Sequence, residues 1–306
     1  DVPISYITGF SSTLQNVGEI NNKGIEFEIS GDIIKNTDFR WSLGINGSHI
    51  DSKVTKLYGG QDIIWTDPTG GDSRAYYIYR EGESTLSFWG YEWAGVNPEN
   101  GKNMWFSNND NCDEDPQGKP LTKDGRNIVY DYSDADEVII GNVHPALYGG
   151  FNTDIEWKGL TFGLNFTYKI GGKLQDGAER DVADDGYYWE RIRSADYCYN
   201  QWKTPGQITH QPQVRGIDLT DAMERSSRHV YDASYLRLST VNLGYTIPKN
   251  AVKKVGLSNV RVYFTGGNLL TFAKYKLADP VVNEYGTRGW ETPVSKSYTF
   301  GIELSF

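Results

Sequence analysis

Apolar and polar residues alternate along several stretches of this chain with a period of two, the spacing of a strand whose faces meet different surroundings. The clearest run covers the last residues, where Tyr298, Phe300, Ile302, Leu304 and Phe306 alternate with Ser297, Thr299, Gly301, Glu303 and Ser305. Between 160 and 170, Leu160, Phe162, Leu164, Phe166, Tyr168 and Ile170 share one face, and Thr161, Gly163, Asn165, Thr167 and Lys169 the other. Residues 24–33 and 39–48 repeat the pattern: Ile25, Phe27 and Ile29 stand against Glu26, Glu28 and Ser30, and Phe39, Trp41, Leu43 and Ile45 against Arg40, Ser42, Gly44 and Asn46. Segments 151–157, 240–247 and 259–265 also read as strands. The segment 86–96 is rich in Trp and Tyr but has no clear phase, and 102–106 is short. Together they predict about nine strands. The run from 160 to 170 has the length of a tilted membrane-crossing strand, roughly 9–11 residues, where soluble strands have about five or six.

The connections sharpen this picture. Links at 34–38, 97–101 and 158–159 are short and 248–256 is modest, whereas 58–83, 107–147, 171–234 and 271–296 are long. Short and long links alternate strictly. Long structureless loops are uncommon in compact soluble domains, but short turns at one end and long loops at the other are the rule in outer-membrane barrels. Trp41, Trp157, Tyr245 and Phe306 lie toward the short-turn ends, where an interfacial aromatic girdle sits. A soluble β-sandwich has the same alternation with its apolar face inward; strand length and loop asymmetry favour the barrel.

Composition changes the picture at three points. The 306 residues include 34 Gly, 21 Tyr, 9 Trp and 12 Phe but only 38% hydrophobic residues. No window approaches the roughly 20 apolar residues of a spanning helix, so any membrane crossing is made by strands. A formal charge of −10 argues against a nucleic-acid partner, which requires clustered Lys and Arg. Cys112 and Cys198 stand alone in polar surroundings, which fits neither a disulfide scaffold nor a zinc module and leaves their bridging open. The first residues lack the basic and apolar regions of a signal peptide, so the chain reads as mature or truncated.

Six segments, in order along nearly the whole chain, resemble the SusC/RagA-like TonB-dependent transporters of the Bacteroidetes outer membrane. They are NVGEINNKGIEFEIS (16–30), SFWGYEWAGVNPENG (87–101), HPALYGGF (144–151), DASYLRLSTVNLGYTIP (232–248), VRVYFTGGNLLTFAKYKLADP (260–280) and YTFGIELSF (298–306). The resemblance implies a transmembrane antiparallel β-barrel of roughly 22 strands around a plug, with TonB engaged from the periplasm, a SusD-like surface lipoprotein as a lid, and side-by-side pairing of two transporters. About nine strands cannot close such a barrel. Residues 1–306 are therefore expected to be the C-terminal part of an all-β barrel, in contact with outer-membrane lipid and with the rest of its own barrel. Plug and TonB-engaging segment are expected upstream.

Candidate chemistry concentrates in 171–234, where Tyr187, Tyr188, Trp189, Tyr197, Tyr199 and Trp202 are interleaved with Asp184, Asp185, Glu190, Arg191 and Arg193. Aromatic faces stack on sugar rings while carboxylates and guanidinium groups bond hydroxyls, so Tyr187, Tyr188, Trp189 and Trp202 are candidate substrate contacts. The plainer reading is that these rings pack the loop or seal it against a partner, where Tyr, Trp and Arg are also enriched. Asn109, Asp110, Asn111, Asp113, Glu114 and Asp115 lack the spacing of a calcium loop and read as a solvated acidic stretch. His49, His144, His210 and His229 fall in no zinc or protease motif; no catalytic residue, cofactor or metal is expected. Glu26, Glu28, Arg40, Asp154, Glu156 and Arg261 fall on the polar, lumen-facing side. Tyr298, Phe300 and Phe306 resemble the aromatic signal read by the barrel-assembly machinery. The function expected is import of a nutrient too large for porins, with a glycan favoured over an oligopeptide. The alternative is a barrel enzyme or adhesin acting through its long loops.

Overall fold

The computed structural model describes residues 2–3, 12–13, 18–69, 75–183, 190–214 and 224–306. Its dominant element is a seven-stranded antiparallel sheet in which every strand pairs with its neighbours in sequence. The strands are β1 (Glu19–Lys35), β2 (Phe39–Lys56), β3 (Leu147–Trp157), β4 (Leu160–Ile170), β5 (Tyr235–Thr246), β6 (Asn259–Ala273) and β7 (Ser297–Ser305). Such an up-and-down meander is the connectivity of membrane barrels.

Register turns the alternation of each strand into two opposed surfaces. Ile34, Trp41, Ile155, Phe162, Leu243, Phe264 and Phe300 form one row across all seven strands. The row nearer the short turns is Phe39, Trp157, Leu160, Tyr245, Val262 and Ile302. On the opposite face, Asp32, Ser42, Asp154, Gly163, Asn242, Thr265 and Thr299 form an equally continuous polar row. A slip of one residue in any strand would put charge into the apolar rows, so the two-sided pattern itself fixes the register.

The apolar rows are not a core. Ile29, Phe300 and Ile302 are 66%, 79% and 68% exposed, and Leu243, in the middle of the sheet, is 42% exposed. The chain exposes 17832 Å², where a compact monomer of its size exposes about 13,000 Å². An apolar surface spanning seven strands far exceeds the few hundred Å² that soluble monomers tolerate. A soluble sandwich would bury these rows beneath a second sheet; here they are the side that meets lipid hydrocarbon. Trp41 fits that solvent because its indole Nε1 donates to Thr153 Oγ1 at 2.9 Å on the same face, leaving no bare donor.

Local chemistry sets the short links. Asn36 Oδ1 accepts from the backbone N–H groups of Asp38 (3.1 Å) and Phe39 (2.8 Å), an Asx turn that reverses the chain between β1 and β2. Lys158 and Gly159, both at positive φ (46° and 89°), form the two-residue hairpin loop whose twist matches the flanking strands. Gly47 and Gly149 face each other across β2 and β3. A Cβ on Gly149 would sit 2.2 Å from the Asn46 carbonyl oxygen, and one on Gly47 would meet the Phe27 ring at 2.7 Å. The Tyr168 hydroxyl reaches over this pair to donate to the Asn46 carbonyl at 2.9 Å.

The short links at 36–38, 158–159 and 247–258 lie at one end of the sheet, and 57–146, 171–234 and 274–296 at the other. This corrects the expectation of nine sheet strands. The segments at 86–96 and 102–106 do form strands, Ser87–Tyr91, Trp93–Val96 and Asn103–Ser107, but in two small four-stranded sheets within the 57–146 connection. Their phase was unreadable because Ser87, Phe88, Trp89 and Gly90 are all buried, and a strand covered on both faces loses its alternation. The turn at 97–101 belongs to this layer too. Among the described residues, the water-excluded cores lie here as well: Ala75, Tyr77, Phe88 and Val143 form one, Ala94, Phe106 and Ile128 a second, Trp105, Val129 and Ala135 a third, and Leu174, Ala233 and Tyr275 a fourth. Cys112 and Cys198 are unbridged.

Candidate functional site

The polar face is the first part of the site. Near the short turns Arg40 Nε donates to Asp32 Oδ1 at 2.8 Å, with Glu156 3.7 Å from its guanidinium. Arg261 stands 3.6 Å from Glu303. Asn152 donates to Asp154 at 2.8 Å, and Asn242 accepts from Thr265 at 3.1 Å. These groups bond one another across a polar wall on which carboxylates outnumber cations. Glu26, Glu28, Arg40, Asp154, Glu156 and Arg261 all occupy this face, as expected from the alternation.

At the long-loop end, a polar network ties the three long connections to one another and to the wall. Asp176, fully buried, accepts from Arg288 Nη1 at 2.7 Å, from the Glu179 backbone N–H at 2.9 Å and from the Tyr275 hydroxyl. Gln175 and Asp176 pair in parallel with Thr287 and Arg288. The Thr287 hydroxyl donates to Asp67 at 2.5 Å, which brings in the 57–146 connection. Arg237 of β5, only 6% exposed, reaches up from the wall to Asp279 at 2.5 Å. Glu179 contacts the buried His229. Burial works against the Glu179 charge, yet His229 and Arg228 hold its carboxyl below the usual range. Burial first, and then the neighbouring carboxylates, push the Tyr231 and Tyr275 hydroxyls well above the ordinary tyrosine range. Both are protonated donors at neutral pH. Asp232 is partly buried, which raises its pKa, but hydrogen bonds from Lys274 (2.8 Å) and Ser234 hold it at about 2. Apart from the local bonds of Asp176 to Glu179 N and of Asp232 to Ser234, none of these contacts was visible in the sequence, because the partners are 42 to 220 residues apart.

Of the candidate substrate contacts, Tyr187, Tyr188 and Trp189 lie outside the described residues. Trp202 is half-buried: its Nε1 donates to the Pro98 carbonyl at 2.8 Å, and its ring covers Gly101, whose φ of +69° and absent side chain permit the approach. It fastens the 190–214 segment to the 97–101 turn. Tyr197 is buried under Arg193, whereas Tyr199 is 82% exposed. The acidic stretch spends its oxygens on turns, with Asp113 accepting from Tyr130 N at 2.6 Å and Asp115 from Gln117 and Lys119 N at 2.9 Å. Among the described residues no group of three or more His, Cys, Asp or Glu side chains converges to hold a metal ion. Tyr298, Phe300 and Phe306 are exposed on or beside β7, with Tyr298 and Phe300 in the apolar rows.

No family model matches the chain. It is 34% identical over 336 residues to TonB-dependent receptor P3 of Formosa agariphila, covering 99% of this chain and 30% of that protein. It is 26% identical to TonB-dependent receptor SusC of Bacteroides thetaiotaomicron, covering 100% of this chain and 28% of that one. Among solved structures, the RagAB peptide importer in its closed-closed state superposes with a TM-score of 0.75 at 28% identity, and in its open-open state with 0.72 at 26%. Each superposition covers the whole of this chain and about a third of the other. The chain thus spans about 30% of the length of the curated relatives it matches. With a lipid-compatible face, a polar face and a loop layer locked over one end, the chain is part of the β-barrel of a SusC/RagA-like TonB-dependent transporter.

Proposed function

We propose that the chain forms part of the wall and mouth of a transporter that imports a nutrient too large for porins across a Gram-negative outer membrane. The observation that carries this reading is the seven-stranded sheet with continuous apolar and polar rows on opposite faces, capped at one end by a loop layer anchored through Arg237 and Asp279. The long loops face the exterior. There a SusD-like lipoprotein closes the mouth, while the remaining strands and plug complete the barrel and couple it to the TonB complex. Two such transporters sit side by side.

Tyr187, Tyr188, Trp189 and Trp202 belong to the surface that meets substrate, with Trp202 acting from the seam it seals. Tyr298, Phe300 and Phe306 serve insertion, and replacing all three with alanine lowers the amount of transporter in the outer membrane. Deleting the gene in its host abolishes growth on one carbon or nitrogen source, and inactivating TonB reproduces the defect. Growth of the deletion strain on every source that supports its parent counts against import.

A further inference from the structure

The 274–296 connection folds around a pocket of about 130 Å³ whose walls are Val281, Val282, Pro293 and Val294, with Asp279, Arg288 and Glu291 at its polar side. Its apolar lining is incompletely covered: Val281 is 43% and Val294 51% exposed. An apolar cavity of about 150 Å³ accepts benzene, about six heavy atoms, whereas a hexose has roughly twelve and carries a hydroxyl on nearly every carbon. Among the described residues, no aromatic ring lines the pocket to stack on a sugar face. Its size and walls match one branched aliphatic side chain.

The charges at the rim choose what that side chain is attached to. Asp279 is neutralised by Arg237 at 2.5 Å, and its same oxygen also accepts the Val281 backbone N–H at 2.9 Å. Arg288 is committed to the buried Asp176 at 2.7 Å. Glu291 accepts the Gly289 backbone N–H through one oxygen at 2.7 Å and, among the described residues, has no cationic partner. The pocket therefore carries one uncompensated negative charge next to an aliphatic slot, in a chain of net charge −10 whose field concentrates cations. A peptide's α-amino group, with an ordinary pKa of about 7.7–8.0, is largely cationic at neutral pH.

Resting on the import reading above, we propose that this pocket binds the amino-terminal residue of a peptide substrate, with the aliphatic side chain between the valines and the α-ammonium on Glu291. The ammonium bonds the free oxygen of Glu291, and the chain continues toward the polar face along Asp279 and Arg237.

The test is calorimetric titration of the full-length transporter in detergent with a leucine-led pentapeptide, its N-acetylated form, and maltoheptaose. The free peptide binds about tenfold tighter than the acetylated one, as for a charge-assisted hydrogen bond lost. Glu291→Gln, an isosteric change at an exposed position, shrinks that ratio to less than about threefold. Val281→Trp, which fills the slot, weakens the free peptide but leaves any maltoheptaose binding unchanged. Equal binding of free and acetylated peptides overturns the proposal, as does a ratio that survives Glu291→Gln, or maltoheptaose binding that Val281→Trp abolishes. TonB-dependent uptake of an oligosaccharide by a transporter that binds neither peptide overturns the pocket assignment while leaving import intact. Loss of all TonB-dependent uptake is what would overturn import.

Discussion

Leu164 and Asn165 are adjacent in β4 and face opposite surroundings, which makes them a matched pair for testing the two-faced wall. Ten steps along Leu160–Ile170 at about 3.4 Å each, tilted by about 40–45°, rise about 25 Å, the height of the apolar band of a membrane barrel. Leu164 lies one residue from the midpoint of that rise, in the row with Leu43, Thr153 and Val241. Arginine near the midplane on a lipid face costs about 2–4 kcal/mol, or about 30- to 700-fold in the folding equilibrium at a factor of ten per 1.4 kcal/mol. Asn165 faces Thr240 and Asn152 on the polar side, where an arginine keeps its hydration and costs well under about 1 kcal/mol. Denaturant titration of the full-length transporter folded into liposomes reads both variants by gel mobility. Leu164→Arg shifts the midpoint strongly and Asn165→Arg little. Equal shifts, or a larger one for Asn165→Arg, would refute the assignment of the two faces.

Three further outcomes follow from named contacts. Arg237→Met leaves the largely buried Asp279 carboxylate without its cation, a loss of about 3–5 kcal/mol for a buried pair; the 274–296 connection then becomes open to protease and hydrogen exchange, and unchanged protection refutes its anchoring role. Asp232 has a folded pKa of about 2 against an ordinary 3.8, so its stabilisation is complete above the ordinary value and is lost as pH falls toward about 2. Exchange of the Ser234 N–H, bonded to Asp232 Oδ1 at 2.9 Å, therefore accelerates across that window, and Asp232→Asn removes the step. Gly149→Val drives a side chain into the β2 backbone and costs about 1–3 kcal/mol, measured by the same liposome titration; a neutral result would mean that β2 and β3 can part there without penalty.

The wall was legible because lipid and lumen impose opposite demands on alternate residues, and those demands are written locally. Phe162 beside Gly163 and Leu243 beside Asn242 already name their faces. Strand ends were harder. β2 runs on to Lys56, but beyond Ser48 the apolar phase gives way to His49, Asp51, Ser52 and Lys53, where the strand rises out of the apolar band into the loop layer. In the loop layer the alternation fails at 86–96, since Phe88 and Trp89 are buried on opposite faces of one strand. The network at the mouth had no local signature, because Asp67, Asp176 and Asp279 find partners on distant connections. Composition marks Trp202 as an aromatic in a polar loop, but not that its indole is bonded to Pro98, on a distant connection.

The central claim, that one face of this sheet meets lipid and the other a polar lumen, is tested most directly by spin-label accessibility. Single labels placed at 297–305 of the full-length transporter, with Cys112 and Cys198 replaced by serine, are read in lipid with oxygen and with a water-soluble nickel complex. The account predicts oxygen maxima at Tyr298, Phe300, Ile302 and Leu304, and nickel maxima at Thr299, Gly301 and Glu303. A flat profile, or the opposite phase, would contradict it.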